Sequence, residues 1–335
     1  MGSTRGTERL AAASMQASRP SARVLFIGGS GKSGSTLLGA LLGQQSTLFN
    51  AGEMNLFWAK WRDPGERCGC GERLTECAFW GAVVADVEDV GVAPTRMAEL
   101  SAQLDHTRQL PRVLSRSLHR PTSDAWAELV AGTDHLYASA FRRSRAAFIV
   151  DGSKLPTHLM LLRDLPDVDV RVLHLIRDGR AVAFSWERKR RLARAGEPQG
   201  SGMRRHRFAA ADLAIWHLQN LSIDRLAGRF SHATRIRYEA LATAPATAIR
   251  DALKRLEVQL ADEGTVSEGL GGASGHAVGG NDRVRFAGGG TTIAADEAWK
   301  TDVRGLRLRL WTLLAAPGLR HFGYPLRVSR STTVS

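Results

Sequence analysis

The sequence predicts an α/β fold, a three-layer sandwich with a mainly parallel central sheet and helices on both faces, and three observations lead there. Residues 23–27 (RVLFI) form a buried-strand run that meets a glycine-rich turn, residues 28–36 (GGSGKSGST), before an apolar helix opens. Further β-branched runs alternate with helical spacing along the chain, and that alternation builds a parallel sheet covered on both sides. A chain of 335 residues, 43% of them hydrophobic, can bury the core of one large domain.

The first helix is expected over residues 35–44. Residues 47–53 (TLFNAGE) read as a short strand ending in Glu53. Loops beyond the carboxyl ends of parallel strands share one crevice, so Glu53 can return beside the glycine-rich turn. The aromatic run 56–61 (LFWAKW), with Phe57, Trp58 and Trp61, reads as packing or as a wall for a bound ring. Residues 92–146 have helical spacing without a strand and read as a helical insertion. Residues 147–151 (AFIVD) are the next buried strand, which brings Lys154 to the same rim. A third strand over 169–176 is closed by Arg177-Asp178-Gly179-Arg180 and a helix that carries Ser185. A helix over 212–227, a strand over 234–238, a helix from Glu239 and a final helix over 303–314 complete the order. The glycine-rich stretch 264–290 is expected to be a mobile loop. One domain over 21–327 results, with a disordered leader (1–20) and a tail (328–335).

The turn has its own chemistry. Glycines let backbone N–H groups converge on one point, the new helix adds its free N–H groups, and Lys32 adds a full positive charge. The product is a P-loop, a cradle for phosphate or a close analogue. A Walker A loop needs a glycine five residues before Gly31-Lys32, and that position is Phe26, inside the strand. What remains, Gly31-Lys32-Ser33-Gly34-Ser35-Thr36, resembles the 5′-phosphosulfate loop of sulfotransferases, which move a sulfuryl group from 3′-phosphoadenosine 5′-phosphosulfate (PAPS) to an acceptor.

A second motif supports the resemblance. Arg177 closes a strand and Ser185 follows eight residues later on the next helix. A dianionic phosphate calls for a bidentate guanidinium plus a hydroxyl donor. In sulfotransferases such a pair grips the 3′-phosphate of PAPS. Gly52-Glu53, Lys154, Arg237-Tyr238-Glu239 and Phe322-Gly323-Tyr324 are similar to motifs of tyrosylprotein sulfotransferases and related bacterial enzymes.

The resemblance implies roles. Lys32, the backbone of Gly31, Ser33 and Gly34, and the Ser35 and Thr36 hydroxyls hold the 5′-phosphosulfate, and Lys154 shares the charge on the sulfuryl oxygens. Glu53 is the general base. A histidine base two residues after the strand-end lysine is replaced here by Pro156, which leaves His158 as runner-up, with a surface or capping histidine as its plainer reading. Arg177, Ser185 and Lys189 hold the 3′-phosphate, Tyr238 stacks on adenine, and Arg283 and Arg285 close over the nucleotide. The scheme requires no metal.

The net charge of +13 fits a nucleic acid, an anionic surface or a small polyanion equally. The basic runs 188–194 and 204–207 lack the interleaved aromatics of a single-strand platform, so no nucleic acid is expected. They suit a solvated helix face, an acidic substrate or peripheral membrane contact. Residues 1–20 lack the apolar core of a signal peptide, which suggests a cytoplasmic enzyme. The three cysteines, Cys68, Cys70 and Cys77, lie in one C-G-C-G-x5-C segment, with no histidine at a usual zinc-ligand spacing nearby. A small-molecule, carbohydrate or lipid acceptor fits the motifs, which say nothing of oligomeric state. A P-loop nucleotide or small-molecule kinase and a basic nucleic-acid-binding protein with a degenerate P-loop stand as the alternatives.

Overall fold

The computed structural model describes residues 21–109, 123–195, 208–260, 269–270, 275–287 and 291–328. The expected leader, residues 110–122 of the helical insertion, the basic run 204–207 and residues 329–335 of the tail lie outside them.

Strand β1 (Ala22–Gly29) is buried at every position but Arg23, which demands neighbours on both sides. It has them: β3 (Phe148–Lys154) and β4 (Val168–Ile176) pair with it in parallel. β2 (Leu48–Gly52) adds outside β3, and β5 (Ala233–Arg237) outside β4, giving an all-parallel sheet in the order β2-β3-β1-β4-β5. Side chains alternate along β1. Val24 and Phe26 face one helical layer, and Leu25 and Ile27 face the other. The mainly parallel three-layer sandwich read from the sequence is what forms.

In chain order the helices are α1 (Ser35–Leu42), α2 (Phe57–Trp61), α3 (Ala78–Asp89), α4 (Pro94–Leu104), α5 (Asp124–Ser144), α6 (Pro156–Asp164), α7 (Gly179–Arg194) and α8 (Ala209–Ala227). After β5 come α9 (Tyr238–Thr243), α10 (Pro245–Arg255), α11 (Asp282–Arg285), α12 (Trp299–Asp302) and α13 (Gly305–His321). Helices α1 and α10 cover one face of the sheet. Helices α3 to α6 and the end of α8 cover the other, and described residues of the expected insertion reach this core: Met97, Leu129 and Tyr137 are buried. A third cluster, around Trp216, packs α7, α8, α12 and α13 together.

Two expectations change. Tyr238 opens α9 instead of ending a strand. Of the described parts of the glycine-rich stretch, 275–287 is anchored where mobility was expected: Val278 N–H donates to the Ala51 carbonyl (2.9 Å), and Glu53 N–H donates to the Val278 carbonyl (2.7 Å). Gly52 permits this approach, since at φ 82° it takes a conformation strained for other residues, and a Cβ there would collide with the Val278 backbone. Among the described residues no helix is long and apolar enough to cross a membrane.

Candidate active site

Parallel strands end at one rim, and each strand of this sheet delivers a candidate residue there. β1 runs into the loop 30–34, β2 ends beside Glu53, β3 ends in Lys154, β4 is followed by Arg177 and β5 by Tyr238. The topology alone therefore gathers groups spread over more than two hundred residues.

The loop is built as its sequence implies. Gly34 caps α1 at φ 97°, and a Cβ there would press into the Tyr238 ring, so glycine is required twice over. Lys32 itself has φ 70°, and Lys154 has φ 68°. Such left-handed backbone costs a non-glycine residue on the order of 1–3 kcal/mol and gathers at functional sites. Ser30 and Ser33 are both 1% exposed, and their hydroxyls have no hydrogen-bond partner among the described residues.

Lys32 lies among like charges. Burial, then the neighbouring Lys189, Arg188 and Arg177, pull its ammonium from the usual 10.5 down to about 8. Its Nζ stands 5.4 Å from the Trp186 ring centroid, and Lys189 Nζ stands 5.8 Å from the same ring. Burial also lowers Lys189, with Glu53 and Asp282 acting the other way. Lys189 thus shares the Trp186 ring with Lys32. Across the rim, Lys154 donates to the Gly152 carbonyl (3.0 Å) and ion-pairs with Glu53.

Arg177 and Ser185 do meet. Arg177 Nη1 lies 3.4 Å from Ser185 Oγ and donates to the Lys32 carbonyl (3.1 Å), tying β4 to the loop. Its Nη2 donates to the Asp296 carbonyl (3.0 Å), and its Nε is buried with no hydrogen-bond partner among the described residues. The Asp296 carboxylate is shared between Arg177 (3.4 Å) and Arg188 (2.9 Å). Neither Asp296 nor Arg188 was singled out in the sequence.

The remaining motifs hold Arg177 in place. Trp216 Nε1 donates to the Arg177 carbonyl (3.0 Å). Glu239 accepts from the Asp178 N–H (3.1 Å) and lies 2.8 Å from Tyr324 Oη, which lies 3.1 Å from the Ile176 carbonyl. Tyr238 is 8% exposed with the Arg177 guanidinium 4.3 Å from its ring centroid, so a positioning contact occupies the ring that the sequence offered to adenine.

Two further expectations, for Arg285 and His158, are corrected, and of the two readings of the aromatic run packing is the one that forms. Arg285 is 3% exposed and pinned by Glu66, Asp282 and the Arg67 and Ala277 carbonyls; these contacts leave it no freedom to close over a nucleotide. Arg283 is exposed on α11. Phe57 and Trp58 are buried in the core, with Trp61 packed against it, so the aromatic run is packing and no wall. His158 is neither a surface group nor a base with access to the rim. It is buried between Asp105 (2.5 Å) and Asp151 (3.2 Å), with Tyr137 Oη at 3.0 Å. Burial alone would lower its pKa, but the two carboxylates outweigh burial and raise it to about 10.

A parallel sandwich with a glycine-rich loop after its central strand is a P-loop-type fold, here with two lysines and an arginine at its rim. More narrowly, residues 25–262 match the sulfotransferase family, and the chain belongs to it. A comparison with curated proteins found no match. Among solved structures, the sulfotransferase domain from the curacin biosynthetic pathway superposes with a TM-score of 0.55 at 17% identity, over 91% of this chain and 99% of that one. The sulfotransferase domain of the Synechococcus PCC 7002 olefin synthase gives 0.52 at 19%, over 91% and 96%. At such identities the likeness speaks for the fold.

Proposed function

We propose that the chain is a cytoplasmic sulfotransferase that takes its sulfuryl group from PAPS and passes it to a hydroxyl or amine of a small-molecule, carbohydrate or lipid acceptor. One observation carries the reading. Buried donors without partners among the described residues, Ser30 Oγ, Ser33 Oγ and Arg177 Nε, occur in one rim with Lys32, whose charge is held in place against burial and three like neighbours. Leaving a buried donor unpaired costs about 1–3 kcal/mol, and a polyanion relieves that cost. Two separate clusters, one at the loop and one at Arg177 and Ser185, fit a donor that is charged at both its 5′ and 3′ ends.

PAPS supplies the sulfuryl group on its 5′-phosphate. Lys32, the loop N–H groups and the Ser35 and Thr36 hydroxyls hold that end and stabilise charge on the departing oxygen. Arg177, Ser185 and Arg188 hold the 3′-phosphate, and Tyr238 and Trp216 keep Arg177 aimed. Lys154 shifts from Glu53 to the sulfuryl oxygens. That shift frees the Glu53 carboxylate to take the acceptor proton as the acceptor oxygen or nitrogen bonds to sulfur and the bond to the 5′-phosphate oxygen breaks. Positioning and charge stabilisation do most of the work in such a transfer.

Calorimetric titration tests the reading. The wild type is expected to bind adenosine 3′,5′-bisphosphate in clear preference to 5′-AMP and ATP, and Arg177→Ala to weaken the bisphosphate by about 10–100-fold while leaving 5′-AMP little changed. Tighter binding of ATP, or no nucleotide binding, overturns it.

A further inference from the structure

The three cysteines have no place in this chemistry, and the fold supplies what their sequence lacked. The imidazole of His276, 199 residues beyond Cys77, stands among them. His276 Nδ1 lies 3.6 Å from Cys68 Sγ and 3.3 Å from Cys77 Sγ, and Cys70 Sγ lies 3.8 Å from Cys77 Sγ. All four ligand atoms fall within 4.8 Å of one another. A tetrahedral zinc ion with Zn–S of about 2.3 Å and Zn–N of about 2.05 Å sets S···S near about 3.8 Å and S···N near about 3.6 Å. The 3.3, 3.6 and 3.8 Å separations lie near these values, and 3.8 Å is far outside a disulfide bond, about 2.05 Å.

The surroundings fix the ligands as a built site does. Cys77 is buried at the N-cap position of α3. The His276 ring stacks on Phe79 at 4.9 Å, and its carbonyl accepts from Trp80 Nε1 at 2.6 Å. The Gly69 N–H, between the first two cysteines, donates to the Ala277 carbonyl at 2.9 Å.

We infer that Cys68, Cys70, Cys77 and His276 bind one zinc ion, which fastens the segment 275–287 to the protein beside the rim. Binding releases the protons of three thiols and leaves a closed four-ligand site, the form that zinc takes in structural roles. The segment so fastened continues through Val278, paired with Gly52 and Glu53, to Asn281, whose N–H lies 3.3 Å from Thr36 Oγ1 at the start of α1. The ion therefore anchors one end of a strap whose other end touches the glycine-rich loop.

Metal analysis of the full chain, purified without chelator or metal affinity, tests this directly. We expect about one zinc per chain. Cobalt(II) in its place should give the intense visible bands of a tetrahedral thiolate site. His276→Ala should weaken zinc by at least about tenfold, while His276→Cys, which completes a four-thiolate set, should retain it; the pair separates ligand loss from misfolding. Zinc removal should speed hydrogen exchange at 275–287 more than in β1. Reduced protein with no bound zinc, no cobalt uptake and three titratable thiols overturns the site. Unchanged exchange at 275–287 on zinc removal overturns the strap.

Discussion

Strand β3 carries two charged residues three positions apart that live under opposite rules. Asp151 is fully buried, and every polar neighbour answers it: Ser153 N–H at 2.9 Å, Tyr137 Oη at 2.8 Å and His158 at 3.2 Å. Burial alone would raise its pKa, but the His158 charge and these hydrogen bonds hold it low. Lys154, at the strand's end, has left-handed backbone, and beyond it lie Lys32 among like charges and hydroxyls without partners. The strand's interior is satisfied; the rim beyond Lys154, which itself pairs with Glu53, holds the like charges and the hydroxyls without partners among the described residues. Stability comes from the first and anion affinity from the second, and mutations should separate them.

The largest expected effect is on the satisfied side. His158→Leu leaves Asp105 and Asp151 buried without a counter-charge, and should cost about 3–5 kcal/mol in denaturant unfolding. The wild-type pair also has a pH signature. With His158 raised to about 10, its contribution is full below the usual 6.5 and is lost as pH climbs through about 10. The Asp151 contribution is full above the ordinary carboxylate range and is lost in acid. A variant of unchanged stability would dissolve the contrast.

At the rim, Lys32→Met should lower kcat by about 10²–10³-fold, as loss of a charge-stabilising group does. It should also raise Tm slightly, by about 1–3 °C, because it removes a charge held against burial and like neighbours. Lys32 titrates near 8, so bisphosphate affinity should fall as pH rises through that value, by up to about tenfold per unit, and the fall should vanish in the mutant. A marked drop in Tm would place Lys32 with the satisfied group.

The smallest effect concerns Asp296, whose carboxylate lies between Arg177 and Arg188. Asp296→Asn keeps the backbone contact to Arg177 but removes a negative charge beside the proposed 3′-phosphate site. Calorimetry should show binding about three- to tenfold tighter, on the order of 1 kcal/mol, as for a partly exposed charge pair.

What the sequence disclosed follows from distance along the chain. The buried strands, the glycine-rich turn and the Arg177 to Ser185 spacing are local, and each could be read where it stood. Glu53 and Lys154 followed from a single rule, that parallel strands end at one rim. His276 beside Cys77, Asp105 beside His158 and Asp296 beside Arg177 meet only through tertiary folding, with 199, 53 and 119 residues between them, and no spacing announces such pairs. Arg285 misled for the opposite reason: a glycine-rich neighbourhood suggested freedom, and long-range hydrogen bonds remove it.

Arg180 bears on the order in which the protein comes into being. Its guanidinium donates to the carbonyls of Pro325 and Leu326 at 2.8 and 2.9 Å while gripping Asp178, and Tyr324 reaches the Ile176 carbonyl and Glu239. All five sheet strands have been synthesised by Arg237. A chain emerging from the ribosome therefore has its whole sheet, and its glycine-rich loop, before it has the residues that steady Arg177. The strands of the central sheet thus precede in synthesis the residues 324–326 that support the turn after β4.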